Sequence, residues 1–559
     1  MTVAGERSVL YPSTGLERKS YMSGRIIRVS GPLVTAEGLS GARISDLVRV
    51  GDLRLAGEIL SVNGDCASIQ VYEDTSGLGP GAAVELTGTP LMAELGPGLL
   101  GNMFDGIQRP LSEARELSGD SMTKGIDVPS LNRALLWTFE PSVEAGDEIK
   151  SGSLIGVVHE NSSMTHKIFV PDGLSGTVAS IHEGEASISE TICLIKSDDG
   201  TDHKLTMMQK SPVRIPRPYA RRHLPSKPLK TGQKAIDLLY PVAKGGTACL
   251  SGSFGSGKTV LQQAVAKWSD ADIAVYICCG ERGNEITGLF DSLSALTDTD
   301  SGEPLINHSV IIACTSDMPI AARESGVYTG ITIAEYFRDM GKDVVVIIDS
   351  LSRWAEALRE ISATEGQSSA ESDYPAILSG RLAQLYERAG AVDCTGPENR
   401  QGSITMIGTL SPNSGNMDDP SVQAALRLSR MHLALDSDTA DARRFPAIDW
   451  VNSYSQYRET LKPWYNEHFG TALFPQCQNA IETLRMESEL SEILYLAGPD
   501  SLSGDSIKTL EMAKVLREEF FSQDALNPVD MSTLQDQYTQ LSRDLGIRID
   551  KFSAGGDES

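Results

Sequence analysis

The chain has 559 residues, which is enough for three or four domains of ordinary size. It carries 75 acidic and 49 basic residues, a formal net charge of −26, and its composition of 22% charged and 40% hydrophobic residues is that of an ordinary folded protein. These values argue against a disordered chain, a collagen or coiled-coil rod, and a dedicated nucleic-acid coat, because binding a phosphate backbone requires a basic surface.

The first twenty residues, MTVAGERSVLYPSTGLERKS, scatter charges where a signal peptide needs a continuous hydrophobic stretch. The longest strongly apolar run is 344–348, far short of the roughly eighteen residues that span a bilayer. The eight cysteines contain no CxxC pair, and several lie in apolar, strand-like runs. We therefore expect a chain that neither crosses a membrane nor is exported, with reduced structural thiols.

Short strands with alternating apolar residues and a turn about every ten residues fill 23–92, which predicts a small β-barrel or sandwich. A second strand-rich block at 118–204 contains GSLIGVVHE and HKIFVPDGLSGTVASI and has the character of an inserted β-module. The segment 211–228 then carries five prolines and several basic residues. It predicts a stiff linker packed against acidic neighbours, with nucleic-acid contact as the alternative.

From position 246 apolar runs alternate with helical stretches, the pattern of a parallel α/β sheet. Beyond about position 450, apolar residues recur at three- and four-residue steps, as in NAIETLRMESELSEILYLAG, so the last hundred residues are predicted to be helical. The candidate strands of the sheet are 247–251, 273–279, 309–314, 343–348 and 403–408.

A glycine-rich loop directly follows the first of these strands and fits GxxxxGK[ST] at every fixed position. Its glycines let backbone N–H groups cradle phosphate oxygens at the start of the helix VLQQAVAKW, the lysine reaches the β- and γ-phosphates, and the threonine hydroxyl ligates Mg²⁺. The alternative is an unoccupied glycine-rich turn. The predicted nucleotide-binding residues are Gly252, Ser253, Phe254, Gly255, Ser256, Gly257, Lys258 and Thr259.

Two acidic residues follow neighbouring strands of the predicted sheet. Glu281 comes just after the strand 273–279, where it can orient the water that attacks the γ-phosphate, or else form a surface salt bridge. Asp349 ends the apolar strand 343–348 and is predicted to hold Mg²⁺ through its water shell, the alternative being a helix cap. Arg353 lies one helical turn later, near enough to neutralise developing phosphate charge.

Together these motifs resemble one family, the catalytic A (alpha) subunits of V-type and archaeal A-type rotary ATPases. The blocks FGSGKTV, CGERGNE, YTGITIAEYFRDMG, SRWAEALREIS, RLAQLYERAG and PAIDWVNSYS occur in that family's order, and the similarity covers nearly the whole chain. The inserted block distinguishes these subunits from F-type beta subunits, which lack it. The resemblance implies a multidomain α/β fold with an N-terminal β-barrel at 23–92, an inserted β-rich region at 118–204, a RecA-like P-loop nucleotide-binding domain at 93–117 and 205–450, and a helical C-terminal domain at 451–559.

The resemblance also implies roles for individual residues. The active-site residues carried over by motif are Lys258, Glu281, Arg282 and Arg353, with Thr259 and Asp349 at the metal. Phe445 resembles the aromatic residue that stacks on adenine, and Phe520 resembles the second wall of that pocket; on sequence alone both would be core aromatics.

The sequence departs from the family pattern at two places. Ser253 stands where the family usually has proline, a change that removes a rigid φ but no phosphate donor, so we expect nucleotide binding to survive. The family's loop SPPGGDFSEP is SPNSGNMDDP here, at 411–420, which affects the expected contacts with neighbours or the rotor.

The family resemblance implies ATP or ADP and Mg²⁺ as ligands, and a hexamer in which this chain alternates with a non-catalytic B (beta) subunit that supplies an arginine finger. It further implies a central rotor stalk, peripheral stalk subunits and a membrane sector that translocates H⁺ or Na⁺, with the chain on the cytoplasmic face of the membrane.

Three other classes of protein share parts of this pattern. A type III or flagellar export ATPase shares the nucleotide-binding core, but the inserted module and the sequence motif RWAEALREIS favour the rotary family. A transcription-termination helicase would need a basic RNA path, which a net charge of −26 does not suggest. A non-catalytic subunit should lack an intact phosphate loop or the glutamate after Cys279 and Gly280, and both are present.

Overall fold

The computed structural model describes residues 23–119, 123–162, 164–253, 255–298, 301–364, 370–411, 417–441, 443, 445–527 and 530–541. Phe254 of the predicted phosphate loop and positions 412–416 of the variant loop lie outside these ranges.

The first described segment forms a closed six-stranded antiparallel barrel, which confirms the predicted β-barrel. Alternate residues of its strands point inward, and Val48, Ile59, Ile69 and Val84 are among those that fill the interior. The strands close in the order β1-β2-β5-β4-β3-β6. They are β1 (Ser23–Ser30), β2 (Leu33–Glu37), β3 (Asp46–Val50), β4 (Leu55–Asn63), β5 (Cys66–Val71) and β6 (Ala83–Pro90).

Two four-stranded sheets make up the inserted β-rich module, after a connection that contains β7 (Met92–Leu95), β8 (Met103–Phe104) and α1 (Leu111–Ser118). The sheets have the orders β10-β13-β15-β16 and β12-β11-β9-β14 and bury apolar residues of both. Their strands are β9 (Leu136–Pro141), β10 (Glu148–Ile149), β11 (Leu154–His159), β12 (Thr165–Phe169), β13 (Gly176–Ile181), β14 (Gly184–Ser187), β15 (Cys193–Lys196) and β16 (Asp202–Leu205).

The proline-rich segment packs against acidic side chains, as predicted. It includes the end of β17 (Gln209–Pro212), which pairs with β7, and the whole of β18 (Arg221–His223). The Arg214 guanidinium lies 2.6 Å from a carboxylate oxygen of Glu58 in the barrel and 2.7 Å from one of Glu324 in the nucleotide-binding domain. These ion pairs join the barrel to the domain that follows.

A mainly parallel sheet is the core of the nucleotide-binding domain, in the order β26-β25-β19-β24-β22-β20-β21-β8. All five predicted strands are present. The additional parallel strands β8 and β25 were not predicted because their two and four residues are too short to show a pattern. The strands are β19 (Thr247–Ser251), β20 (Ile273–Glu281), β21 (Ser309–Thr315), β22 (Asp343–Asp349), β23 (Gly390–Asp393), β24 (Gln401–Leu410), β25 (Met431–Ala434) and β26 (Tyr454–Ser455).

Helices cover the sheet, and α4, which is buried along nearly its whole length, separates it from the inserted module and the linker. A π-helical turn (Ala235–Leu239) precedes β19, and a short 3₁₀ helix (Leu305–His308) precedes β21. The helices of this domain are α2 (Lys258–Trp268), α3 (Gly283–Ala295), α4 (Ile320–Asp339), α5 (Leu351–Thr364), α6 (Ala370–Tyr386), α7 (Pro420–Leu428) and α8 (Ser437–Asp441).

The C-terminal region is helical, as predicted, with α9 (Tyr457–Phe469), α10 (Leu473–Ala497), α11 (Gly504–Val515), a 3₁₀ turn (Pro499–Ser501) and a π-helical turn (Leu516–Phe520). The first half of α10 buries one face through Leu473, Cys477, Ile481 and Leu484, at the helical spacing. Its second half leaves apolar side chains exposed. No helix within the described ranges is long and apolar enough to cross a membrane.

All eight cysteines are free thiols, and all but Cys66 are buried, in agreement with the prediction of reduced structural cysteines.

Candidate nucleotide site

The three predicted motifs meet at one edge of the sheet. β19 leads into the glycine-rich loop, β20 ends at Glu281 and β22 ends at Asp349. β22 and β20 are neighbours, with Cys278 opposite Asp349, and only β24 lies between β22 and β19. Because parallel strands present their carboxyl ends at the same edge, the residues that follow them converge there.

The glycine-rich loop has the backbone conformation that a phosphate cradle requires. Gly255 and Gly257 have φ values of 83° and 92°, which residues with a side chain adopt only under strain. A Cβ atom added to Gly252 would come within 2.5 Å of the Ser256 hydroxyl oxygen, so the loop has no room for a side chain at this position. α2 begins at Lys258, and its first N–H groups therefore lie at the loop, where an anion is favoured.

The Lys258 ammonium is buried in the loop and donates hydrogen bonds to the carbonyl oxygens of Gly252 and Ser253, both at 2.7 Å. Burial lowers the pKa of Lys258, while the charges of Asp349 and Glu281 act in the opposite direction. Both acidic residues are thus close enough to interact with this ammonium. The structure brings together the three groups on which the predicted catalysis depends.

Asp349 is held at the end of β22 by a hydrogen bond from the hydroxyl of Thr409, which lies 2.7 Å from its Oδ1 atom. Burial raises the pKa of Asp349, and Thr409, Lys258 and Gln262 oppose that rise. Thr259, the predicted partner of Asp349 at the metal, is exposed in the first turn of α2.

Glu281 has a strongly perturbed carboxyl group. Burial is the largest cause that raises its pKa to about 8, followed by the negative charge of Asp349 and by a hydrogen bond and charge from Glu285; Arg353 acts in the opposite direction. Acidic groups crowded in this way favour a bound cation or proton, and a perturbed carboxyl group is typical of a catalytic site.

The two predicted arginines are differently related to Glu281: Arg282 follows it directly in the chain, and the charge of Arg353 acts to lower its pKa. Arg282 is exposed at the N-cap position of α3. The stem of Arg353 packs against Gly280, where an added Cβ atom would lie 2.9 Å from the Arg353 Cβ atom, and its guanidinium lies 2.9 Å from Glu356. The Arg353 guanidinium is thus close enough to Glu281 to act on its carboxyl group, whereas the Arg282 side chain is open to solvent.

The two predicted adenine-contacting residues have different surroundings. The Phe445 side chain is 46% exposed, and its ring lies 3.6 Å from the position of a Cβ atom on Gly257 in the phosphate loop. Phe520 is 1% exposed and packs edge-on against Phe521, with a ring-centroid distance of 4.7 Å. Phe445 is thus open to a ligand at the loop, whereas the role of Phe520 as a second wall stays a prediction.

Three polar residues near Glu281 and Asp349 were not predicted from the sequence to belong to the site. Glu285 is the last residue of CGERGNE, one helical turn after Glu281, so its spacing was a usable signal. Gln262 in α2 and Thr409 in β24 match no motif. They are recognisable only because the fold carries their strand and helix next to Asp349.

Asp349 and Thr259 are residue types that could hold a hydrated Mg²⁺ ion. The residues that the structure describes contain no group of three or more His, Cys, Asp or Glu side chains arranged to hold a metal. One carboxylate, Asp349, and one hydroxyl, Thr259, border the phosphate loop, and Mg²⁺ in such sites keeps several waters and binds substrate phosphates.

Family models match four segments of the chain. The nucleotide-binding domain of the ATP synthase alpha/beta family matches residues 232–455, its beta-barrel domain matches 26–88, and the barrel-sandwich domain of the alpha/beta subunits matches 128–214. The C-terminal domain of V and A type ATP synthase matches 462–547. With a phosphate loop at the carboxyl edge of a parallel sheet, these matches define a nucleotide-binding subunit of the ATP synthase alpha/beta class.

Two similar proteins show to which family within this class the chain belongs. The V-type ATP synthase alpha chain 1 of Clostridium tetani is 51% identical over 520 residues, which cover 93% of this chain and 88% of the relative. The A subunit of the A-type ATP synthase from Methanopyrus kandleri is 49% identical over 510 residues, covering 91% and 86%. The chain belongs to the family of V-type and A-type ATP synthase alpha (A) chains, the catalytic subunits of rotary ATP synthases.

A solved structure shares the fold at a greater distance. The assembled ATPase EscN from the type III secretion system of enteropathogenic E. coli superposes with a TM-score of 0.64 and 22% identity, covering 93% of this chain and 99% of that one. This similarity concerns the fold alone. The resemblance to V-type and A-type chains is confirmed, and with it ATP or ADP binding and membership of a membrane-associated, multisubunit rotary complex.

Proposed function

We propose that this chain interconverts ATP with ADP and phosphate at the sheet edge formed by the phosphate loop, Glu281 and Asp349, with Mg²⁺ held by Thr259 and Asp349. One observation carries the proposal: the Lys258 ammonium lies within electrostatic reach of both acidic residues, inside a loop whose Gly255 and Gly257 have the positive φ values of a phosphate cradle. Mg²⁺, when bound, would neutralise charge on the phosphate oxygens.

In hydrolysis, a water oxygen forms a bond to the γ-phosphorus while the bond from that phosphorus to the bridging oxygen of ADP breaks, and the water's proton ends on phosphate or solvent. Glu281, at the end of β20, orients this water in the proposed reaction. Lys258 binds the β- and γ-phosphate oxygens, and Arg282 and Arg353 counter the charge that develops on them. Synthesis is the same step in reverse.

We further propose that the site is completed by a non-catalytic B subunit, which alternates with this chain in a hexamer and supplies an arginine finger. The open side of the site supports this step, because Arg282 is exposed and the Arg353 side chain is half-exposed and already paired with Glu356. An arginine finger typically contributes about a thousandfold or more to phosphoryl transfer, so we expect the isolated chain to hydrolyse ATP slowly.

The end of α10 supports contact with a central rotor stalk. Ile493, Leu494 and Leu496 are exposed there, and the Tyr495 side chain is 89% exposed, just before α10 ends at Ala497. Exposed apolar clusters mark interaction sites. We propose that this tip meets the rotor, that peripheral stalk subunits hold the hexamer on the cytoplasmic face of the membrane, and that membrane subunits select H⁺ or Na⁺.

The test of the catalytic assignment is Glu281→Gln in the reconstituted complex. We expect ATP binding to be preserved and the hydrolysis rate to fall by about a hundredfold or more, because the amide cannot orient and polarise water as the carboxylate does. Asp291→Asn, on the exposed side of α3, is the matched control and should keep the wild-type rate. A full hydrolysis rate in the Glu281 variant would refute the assigned role.

A further inference from the structure

β24 is the strand that separates the phosphate loop from Asp349. It pairs in parallel with β19 on one side and with β22 on the other. Thr409 lies opposite Leu250 of β19, one position beyond the pairing of Gly408 with Ile348 of β22. The next residue, Leu410, accepts a hydrogen bond from the N–H group of Gly252 at 3.3 Å. The end of β24 therefore touches both halves of the nucleotide site.

Thr409 is a fully buried polar residue in an otherwise mostly apolar stretch of strand. Its hydroxyl oxygen lies 2.7 Å from Oδ1 of Asp349 and 3.2 Å from the carbonyl oxygen of Ile348. A hydroxyl has one proton to donate, and the shorter contact to a carboxylate is the stronger of the two hydrogen bonds. The proton therefore goes to Asp349.

We propose that Thr409 is a positioning residue, which fixes the rotation of the Asp349 carboxylate by occupying Oδ1 and so leaves Oδ2 for a metal-bound water. The inference rests on the proposed function, in which Asp349 serves the Mg²⁺ ion. Groups that hydrogen-bond a metal-binding carboxylate orient it and typically change metal affinity about 10–100-fold when they are removed. Thr409 acts on the metal through Asp349 and does not itself touch the nucleotide.

A second buried group supports this arrangement. Gln262, on the sheet-facing side of α2, interacts with the same carboxylate, and its side-chain Nε2 atom is buried without a hydrogen-bond partner among the residues described. An unpaired buried N–H donor is costly. Asp349 thus has a second buried polar side chain near it, in addition to the hydroxyl that holds its Oδ1 atom.

The test is the Mg²⁺ dependence of ATP binding to the full-length chain, measured by calorimetry for Thr409→Val and Thr409→Ser. Valine keeps the branched shape and removes the hydroxyl, whereas serine keeps the hydroxyl. We expect the Mg²⁺ concentration for half-maximal binding to rise about tenfold or more in the valine variant and to stay within about twofold of wild type in the serine variant. ATP binding in EDTA should be unchanged in both.

Thr405→Val is the matched control, since Thr405 is buried in the same strand and its hydroxyl oxygen accepts a hydrogen bond from the N–H group of Gly245, away from Asp349. An unchanged Mg²⁺ requirement in Thr409→Val, or an equal shift in the control, would overturn the inference. If the valine variant does not fold, Thr409→Ala is compared with the serine variant instead.

Asp349→Asn separates the two proposals. If this variant keeps the wild-type Mg²⁺ dependence, the metal role of Asp349 itself fails, and the role of Thr409 fails with it. If it loses that dependence while Thr409→Val retains it, only the positioning role is wrong.

Discussion

Replacing Arg214 by methionine tests how the barrel is held on the nucleotide-binding domain. The guanidinium binds Glu58 of β4 through two contacts of 2.6 and 2.7 Å and Glu324 of α4 through two of 3.0 and 2.7 Å. The Tyr72 hydroxyl donates a further hydrogen bond to Glu58, and the guanidinium lies 4.9 Å from the ring centroid of Tyr328. Methionine keeps the apolar stem and removes only the charge and the donors.

Removing one partner of a buried ion pair typically costs about 3–5 kcal/mol, because the remaining charge stays buried without compensation. Here two carboxylates, with side chains only 5% and 6% exposed, would be left facing each other. The Arg214 side chain is itself 22% exposed, so water relieves part of the penalty. We therefore expect a loss near the lower end of that range, about 3 kcal/mol in the free energy of unfolding.

The loss should depend on pH. Burial acts to raise the pKa of Glu58. The charge and hydrogen bonds of Arg214, together with hydrogen bonds from Tyr72 and Ser45, outweigh burial, so the pKa of Glu58 is lowered. A lowered pKa contributes stability above the unfolded value of about 4.3, and that stability is lost as the pH falls through the folded pKa. The difference between wild type and variant should be full at pH 7 and shrink below about pH 4.

The assay is urea unfolding followed by tryptophan fluorescence, with hydrogen exchange of the β4 amides to locate the weakened region. Arg49→Met is the control, since Arg49 pairs at 3.3 Å with Asp127, whose side chain is 83% exposed, and such pairs contribute less than about 1 kcal/mol. If Arg214→Met loses no more stability than this control, the bridge does not hold the barrel and the reasoning is wrong.

Three further outcomes follow from the site and the C-terminal packing. Lys258→Ala should abolish ATP binding in an equilibrium titration, and unchanged affinity would contradict the phosphate-loop assignment. Phe445→Ala should weaken ATP binding about tenfold or more through lost base stacking, with little change in affinity for inorganic triphosphate; an equal loss for both ligands would exclude a base contact. Asp237 accepts hydrogen bonds from Thr231, and burial, the largest cause, raises its pKa to about 6. An acid whose pKa is raised on folding contributes stability below its unfolded pKa of about 3.9, and this stability is lost as the pH rises through about 6. Asp237→Asn should therefore flatten the rise in the free energy of unfolding on acidification from pH 7 to 5. A variant that keeps the wild-type slope would refute this.

The sequence by itself determined the fold class and most of the site. A phosphate loop is made by consecutive residues, and each acidic residue follows its own strand, so Lys258, Glu281 and Asp349 were recognisable from local pattern alone. Their convergence was predictable as well, because neighbouring parallel strands end at one edge of a sheet. The long apolar strands and the helices beyond position 450 were predictable for the same reason, because the pattern of buried apolar residues can be read within a single segment.

The tertiary structure decided which residues surround those motifs. Thr409 and Gln262 lie far from Asp349 in sequence and meet it only through the strand order, which places β24 between the two motifs. Likewise, no pattern distinguished Phe445 from Phe520, yet packing exposes the first ring at the phosphate loop and buries the second against Phe521. Burial and long-range pairing belong to the whole fold, since they depend on which distant segments come to share one core and one hydrogen-bond network.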